Sequence, residues 1–570
     1  MAKPSTLLKA KHLLLTKPLI AQLTMSQSTR VASTSAWWDL RLLHWFVPSA
    51  LFFGSLLIVI ITAGDYGVVW DEPPYFHASD LHISWIKRLV QEPYGDFSAL
   101  MDDKDIAEAW HWNPYNVPHP PLSRILSGVT HLALSPYLDK FTSYRVAPGL
   151  FFAALVTVTY LWLKELFGEL AGISSAMAIL FMPNLFAFAH MAVTDLPLAS
   201  LWFVTTYAFW KGIKNWLWSI VLGVVWGLAL ATKFPAVLIP IPVVLWAQIF
   251  QRNRYSNNIF TMLFVAPIIM LAIQPYLWHD TGIRVLEFLY EGISRGYRPN
   301  TNFGVAFVGK TLLSSQLPWY YSFFIIGVTT PEPFILLALV GILSIAWRSQ
   351  QRATLMLFFL SGTFIMTLGI LPGAVLHDGV RQLLSSLPFI AALAGAGLHF
   401  VFRLLVQLGS NHFQAIRFSL GKFKIAVVLL SLFCFSPLLD LYLSHPFQLS
   451  YYNRLIGGPP GAYHLGLETS YFMEAFTPEF LRMLNQKLPP HAIINASWAN
   501  FMFRFYQREM RLREDIQITD AQSFQFYILL NRRTALGPRE KRLMDSQVVP
   551  FLSKDLAAVP LVSVFEFNKP

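Results

Sequence analysis

About eleven apolar runs, almost free of charge at their centres, decide what this chain can fold into. They lie near 44–63, 144–163, 170–190, 194–210, 216–232, 234–250, 258–278, 333–347, 353–372, 383–402 and 424–442. A bilayer core needs roughly 20 mostly apolar residues per helix. The expected fold is therefore a polytopic α-helical membrane protein with about 11 transmembrane helices, the runs near 194–210 and 333–347 being the shortest. Of 570 residues, 55% are hydrophobic and 13% charged, about half the charge of an ordinary soluble domain. That excludes a soluble enzyme, a disordered chain and a fibrous one. The single cysteine, Cys434, excludes a disulfide framework and a CxxC metal site. The net charge of +11 is carried in short clusters between the apolar runs. This pattern fits loops against an anionic membrane face and does not call for nucleic acid.

Charge also orients the spans. Residues 1–43 carry Lys3, Lys9, Lys11, Lys17, Arg30 and Arg41 against Asp39, which predicts a cytoplasmic N-terminal tail. The first strong apolar run begins beyond residue 43, too late for a cleavable signal peptide. Alternation then puts Lys164, Lys211, Lys214, Arg252, Arg254, Arg348, Arg352, Arg403, Arg417, Lys422 and Lys424 inside. A large first loop, 64–143, falls outside with eleven Asp or Glu against five Lys or Arg. Residues 44–442 form the membrane domain, and an odd span count leaves 443–570 outside. That tail has a helical stretch after Thr477-Pro478 and strand-like runs at 492–497, 525–531 and 561–567. It predicts a small α/β extramembrane domain.

The unusual polar residues fall on the outer side. Asp71-Glu72 sits a few residues beyond the first span: either reacting carboxylates, or an Asp–Glu helix start favoured by the helix dipole. Residues 78–91 place Leu81, Trp85 and Leu89 on one face, for a helix lying in the interface or packed on the tail. His119 precedes two prolines that fix a rigid turn. Asp195, in a very short outer loop, is a functional candidate or a helix cap, and Lys233 at the next outer turn a functional group or a snorkelling one. In His377-Asp378-Gly379-Val380-Arg381, the Arg381 fork suits a phosphate or pairs with Asp378. The spacings of His111, His119, His190, His279 and His377 match no metal-ligand motif, and no metal or cofactor is called for.

The order of these motifs resembles one family. Asp-Glu opening the first outer loop, His-Pro-Pro-Leu, Thr-Asp-Leu-Pro, Leu-Ala-Thr-Lys-Phe-Pro, His-Asp-Gly-Val-Arg-Gln and Tyr451-Tyr452-Asn453-Arg454-Leu455-Ile456-Gly457-Gly458 are similar to motifs of glycosyltransferase family 39. These are the membrane-embedded protein O-mannosyltransferases and bacterial aminoarabinose transferases, with the C-type fold. The resemblance covers roughly 60–460. It implies transfer of a sugar from a polyprenyl-phosphate donor to a hydroxyl of a protein, lipid or glycan at the outer face of a bacterial plasma membrane. The catalytic pair is then expected to be Asp71 as general base with Glu72 as its neighbour or orienter, and the substrate-binding residues His119, Asp195, His377 and Arg381, with Asp195 on the sugar or acceptor and Arg381 with His119 on the phosphate. Histidine at 119, where aminoarabinose transferases have lysine, argues against aminoarabinose as the transferred group. There is no room for the lumenal β-trefoil of eukaryotic members. The rival readings are a lipid or sugar transporter or flippase, and a non-catalytic assembly subunit. A transporter predicts midplane charges, broken helices there and symmetric halves, whereas this chain has clean apolar span centres and a polar cluster gathered on the outer side.

Overall fold

The computed structural model describes residues 34–91, 97–111, 119–252, 254–298, 302–346, 351–371, 373–410, 415–546 and 548–567. Most of the expected cytoplasmic tail, together with Arg348, lies outside the described residues. Two compact units are distinguished, Met1–Val47 and Pro48–Pro570.

All eleven apolar runs fold as helices or helix pairs. Five are long and apolar enough to cross a bilayer alone: Trp45–Asp65, Lys140–Phe167, Ser256–Ile273, Arg381–Leu408 and Gly421–Leu443. Glu169–Leu180 and Pro183–Ala189 add a sixth if the pair, bent by 64°, is one span. Trp216–Leu230, Phe234–Phe250, Glu332–Ala346 and Arg352–Leu368 are shorter, at 10–17 residues, and Asp195–Gly212 has 18. Proline punctuates several of these helices at the first turn, where its missing N–H leaves no bond unmade: Pro183, Pro240 and Pro333. The chain is a polytopic helical integral membrane protein.

Two spans are central and three peripheral. The most apolar stretches of Lys140–Phe167 and Arg381–Leu408 are 67% and 56% buried, against 22–28% for the other three. Ser256–Ile273 presents Phe260, Leu263, Phe264 and Ile268 outward, a surface that suits lipid and not water. Without a hydrophobic drive between helices in lipid, close approach depends on small residues. Leu387–Ser410 packs on Glu332–Leu343 in this way. A Cβ on Gly397 would lie 1.9 Å from the Leu337 carbonyl oxygen, and one on Gly341 2.2 Å from that of Leu393.

Residues 493–566 form a five-stranded mixed sheet. The strands β3 (Ile493–Asn495), β4 (Gln517–Ile518), β5 (Phe526–Leu530), β6 (Leu552–Leu556) and β7 (Val559–Glu566) follow the hairpin strands β1 (Gly304–Phe307) and β2 (Lys310–Leu313) in sequence. Their order is β4-β3-β5-β7-β6, parallel through the first three and antiparallel thereafter. The helix expected after Thr477-Pro478 is Pro478–Lys487, whose start is capped by Thr477 Oγ1 accepting from the Phe480 amide at 3.2 Å. Strands β4 and β6 lie in runs too short or too polar to have stood out.

The core of this sheet is not its own. Phe480, Leu484, Ile494, Phe503 and Val564 share one buried cluster with Val68, Phe76, Phe141 and Tyr144 of the first loop and the span after it. The 78–91 reading is corrected by this packing. Glu72–Gln91 buries Tyr75, Phe76, His82, Ile83 and Trp85 against Leu122–Leu134 and the first-loop cluster around Ile106 and Trp110. Its apolar face, with Trp85 and Leu89, is spent on packing against protein and not left free for a membrane surface. The interfacial pattern belongs to Thr281–Ser294, which leaves Ile283, Leu286, Tyr290 and Ile293 exposed along one stripe.

Candidate active site

Five separate stretches meet in one cluster of charge: residues 70–71, 195, 233, 377–381 and 532. Asp71 ends the turn before Glu72–Gln91, a turn held by the Trp70 amide donating to the Phe472 carbonyl at 3.2 Å. Arg381 opens the short turn Arg381–Ser386 that leads into a central span. Its Nη2 donates to Asp71 Oδ2, its Nε reaches Asp195 Oδ1 at 3.4 Å, and its Nη1 reaches Asp378 Oδ2 at 3.3 Å. Lys233 Nζ donates to the same Asp195 oxygen at 2.7 Å. Arg532, just past β5, donates from Nη2 to Asp378 Oδ1 at 3.0 Å.

Aromatic rings wall the cluster. The Arg381 guanidinium lies 4.1 Å from the Phe472 ring centre, and that of Arg532 4.6 Å from the ring of Trp70. Asp195 is 3% exposed, and its Oδ2 has no hydrogen-bond partner among the described residues. A buried carboxylate oxygen left without a partner is costly, so this oxygen has hydrogen-bonding capacity to offer a donor from outside the chain. Asp378 adopts φ +56°, a left-handed conformation that aspartate tolerates better than most residues. Burial opposes its ionisation, but His377, Arg532 and Arg381 hold its carboxyl well below the usual carboxylate range.

The expected site residues divide into two groups. Asp71, Asp195 and Arg381 are in direct contact. His377 stands behind them: Nδ1 meets Asp378 Oδ2 at 2.7 Å, Nε2 lies 3.3 Å from Gln382 Nε2, and the ring packs on Phe303. His119 sits against Tyr75, and its carbonyl accepts from Arg124. Withdrawal from water, with the charges of Arg295, Lys233 and Arg124, pushes its pKa well below the usual value. It is a neutral imidazole at pH 7, with one N–H to donate.

Glu72 is not in the cluster. It is 0% exposed and accepts from Arg145 Nε and Nη2 at 2.8 and 2.7 Å, from the Val69 amide at 3.0 Å and from the Ala192 amide at 2.9 Å. Arg145 also donates to the carbonyls of Ala63, Tyr66 and Gly67. With its oxygens saturated and no exposed surface, Glu72 ties the loop that carries Asp71 to Arg145 and to the Ala192 amide, an arrangement in keeping with the expected neighbour or orienter and not with a second reacting carboxylate.

Sequence reasoning missed Arg145 and Arg532 and left Lys233 open. Arg145 lies inside an apolar run, a signal that an intramembrane charge deserves a role. Lys233 is buried and paired, so it does not snorkel. Arg532 had no signal, because its place depends on how the terminal sheet docks. Among the described residues no group of three or more His, Cys, Asp or Glu is placed to hold a metal.

Fold and site together define a helical membrane protein with a charged, aromatic-walled site at one end of its helices. Residues 119–279, under a third of the chain, match the family described as dolichyl-phosphate-mannose-protein mannosyltransferase. The matched segment contains His119, Arg145, Asp195 and Lys233, and the match bears out the resemblance read from the motifs. No curated protein matches the chain. Among solved structures, ArnT from Cupriavidus metallidurans in the apo state is 14% identical, covering 91% of this chain and 98% of that one, with a TM-score of 0.49. The same protein bound to undecaprenyl phosphate gives 14% identity, the same coverage and a TM-score of 0.46. The oligosaccharyltransferase AglB from Archaeoglobus fulgidus, in complex with an inhibitory peptide and a dolichol-phosphate, is 11% identical, covering 84% and 69%, with a TM-score of 0.45.

Proposed function

We propose that this protein is a membrane glycosyltransferase that moves a sugar from a polyprenyl-phosphate carrier to an acceptor hydroxyl at the outer face of a bacterial plasma membrane. The observation that carries this reading is the meeting of Asp71, Asp195 and Arg381 at one end of an apolar bundle, beside a buried carboxylate oxygen with no partner among the described residues. The mannosyltransferase family match over 119–279 supports the donor class.

The chemistry follows from the charges. Three carboxylates, Asp71, Asp195 and Asp378, face three cations, Arg381, Lys233 and Arg532. A donor phosphate adds negative charge to this balanced set. Arg295, whose charge acts on Asp71, Asp195 and Arg381, offsets it. Arg381 turns from Asp71 toward the phosphate, and Asp71 is then free to accept a proton. The acceptor oxygen bonds to the anomeric carbon, the bond from that carbon to the phosphate oxygen breaks, and Asp71 takes the hydroxyl proton. Polyprenyl phosphate leaves with the bonding electrons, its charge held by the arginine fork. Direct attack inverts the anomeric centre. Asp195 and the neutral His119 bind sugar or acceptor hydroxyls, while Glu72 and His377 position Asp71 and Asp378.

The primary test is whether purified protein in detergent consumes a polyprenyl-phosphate sugar and releases polyprenyl phosphate. No consumption across several donors, with intact fold, would sink the reading and favour transport. Arg381→Lys keeps the charge but not the fork. Losing one charge-assisted contact costs on the order of 2–3 kcal/mol, so donor affinity measured on the purified variant should fall at least tenfold. Wild-type affinity in Arg381→Lys would leave Arg381 as a structural ion pair.

The proposed orientation has 1–43 in the cytoplasm and both 64–143 and 443–570 outside. Since the terminal sheet shares its core with the first loop, both must lie in one compartment. A reporter fused at residue 550 should be accessible from outside. A cytoplasmic signal there would reverse the site's facing.

A further inference from the structure

A second cleft lies one residue along the chain from the charged cluster. Arg532 contacts Asp378, whereas its neighbours Asn531 and Arg533 line a cavity of about 270 Å³ between the β1–β2 hairpin and the terminal domain. That is close to the lower end of small-molecule sites, roughly 300 Å³. Lys310 of the hairpin and Lys541 of the helix Pro538–Asp545 complete a set of three cations with Arg533, opposed by one carboxylate, Asp545.

The cleft is preformed and carries unmet hydrogen-bonding capacity. Gly309 and Gly466 both have positive φ, and a Cβ on Gly466 would lie 2.5 Å from Gly309 Cα. The Gly309 amide donates to the Gly466 carbonyl at 3.3 Å, so hairpin and domain are pinned backbone to backbone. Asn531 is 1% exposed and donates from Nδ2 to the Pro560 carbonyl, but its Oδ1 has no partner among the described residues. The Arg533 guanidinium lies 4.4 Å from the Tyr463 ring centre, and its buried Nε is also without a hydrogen-bond partner among the described residues. An acceptor such as Asn531 Oδ1 calls for a hydroxyl donor, and the cations call for an anion.

We propose that this cleft binds an anionic saccharide, a sugar bearing a phosphate or carboxylate, as part of the acceptor. The proposal rests on the glycosyltransferase reading and names its acceptor class. Lys310, Arg533 and Lys541 hold the anionic group and Asn531 takes a sugar hydroxyl, on the residues that flank Arg532 in the chain. The anion fixes the acceptor outside the reacting centre, so donor binding does not depend on it.

The test measures binding to the full chain in detergent by calorimetry, with glucose 6-phosphate, glucuronate, glucose and inorganic phosphate as probes. Glucose 6-phosphate or glucuronate should bind at least about tenfold tighter than glucose and inorganic phosphate. The stronger of the two identifies the anion. The double variant Lys310→Ala/Lys541→Ala removes two exposed side chains and should lose that preference at least about tenfold, with donor binding unchanged. Equal affinity in the variant, or inorganic phosphate binding as tightly as the sugar acids, would overturn the proposal. If the sugar acid binds here but no polyprenyl-phosphate sugar is consumed, the transferase reading fails while the cleft's ligand stands. If donor is consumed and the variant binds sugar acids as wild type does, the cleft proposal fails alone.

Discussion

Asp71→Asn leaves a folded, inserted protein that still binds donor, with transfer reduced by roughly 100-fold or more, the usual scale of a general base. The side chain is partly exposed, and its contact in the cluster is with Arg381, so the amide is accommodated without burying an unpaired charge. On the proposed mechanism donor binding is retained, because the phosphate is held by arginine and removing a competing carboxylate from Arg381 does not weaken that grip. The comparison to make is single-turnover transfer against donor affinity on the same preparation. Near-normal transfer in Asp71→Asn removes Asp71 from the chemistry. The base would then be sought at Asp195, whose Oδ2 is without a partner among the described residues.

Glu72→Ala fails differently. It leaves Arg145 buried at 1% exposure with no carboxylate, and breaking one partner out of such a pair costs about 3–5 kcal/mol. Typical folding stabilities are about 5–15 kcal/mol, so the loss is a large share of the whole. It also releases the Ala192 amide, three residues before Asp195, so the two loops that present Asp71 and Asp195 come apart. Thermal unfolding in detergent should show a large drop in Tm for Glu72→Ala and for Arg145→Ala. Replacing both partners together by apolar residues should cost less than the sum of the single changes, since no charge is left unpaired. A wild-type Tm in Glu72→Ala would deny the positioning role. A folded Glu72→Gln that alone abolishes turnover would exchange the roles of the two carboxylates.

Much of this architecture was legible in one dimension. Apolar runs with polar boundaries fold as helices in any register of packing, so each of the eleven coincides with a helix or helix pair, although Thr34–Thr62, Leu387–Ser410 and Ala415–Leu443 run well beyond the apolar stretch at one end. Asp71, Asp195 and Arg381 were picked out because each stands where a charge is expensive, at a membrane boundary. What the runs did not disclose was which helices were complete. Length and proline placement leave five or six able to cross on their own, and the rest depend on their neighbours.

Two adjacent carboxylates look alike in sequence, yet one faces the site and the other is sealed beneath it. That difference comes from Arg145, 73 residues away, which is buried and whose charge must be neutralised where it lies. The interfacial helix was misplaced for a related reason. Residues 78–91 are amphipathic, but the face that suited a membrane surface was taken up by other helices of the first loop. The amino-acid sequence by itself determined the membrane class, the helices and the chemistry available at their ends. Only the tertiary structure decided which charges meet, and it brought Arg532 to Asp378 from 154 residues away. The apolar effect is local and additive along the chain, whereas pairing of buried charges depends on distances that exist only after packing.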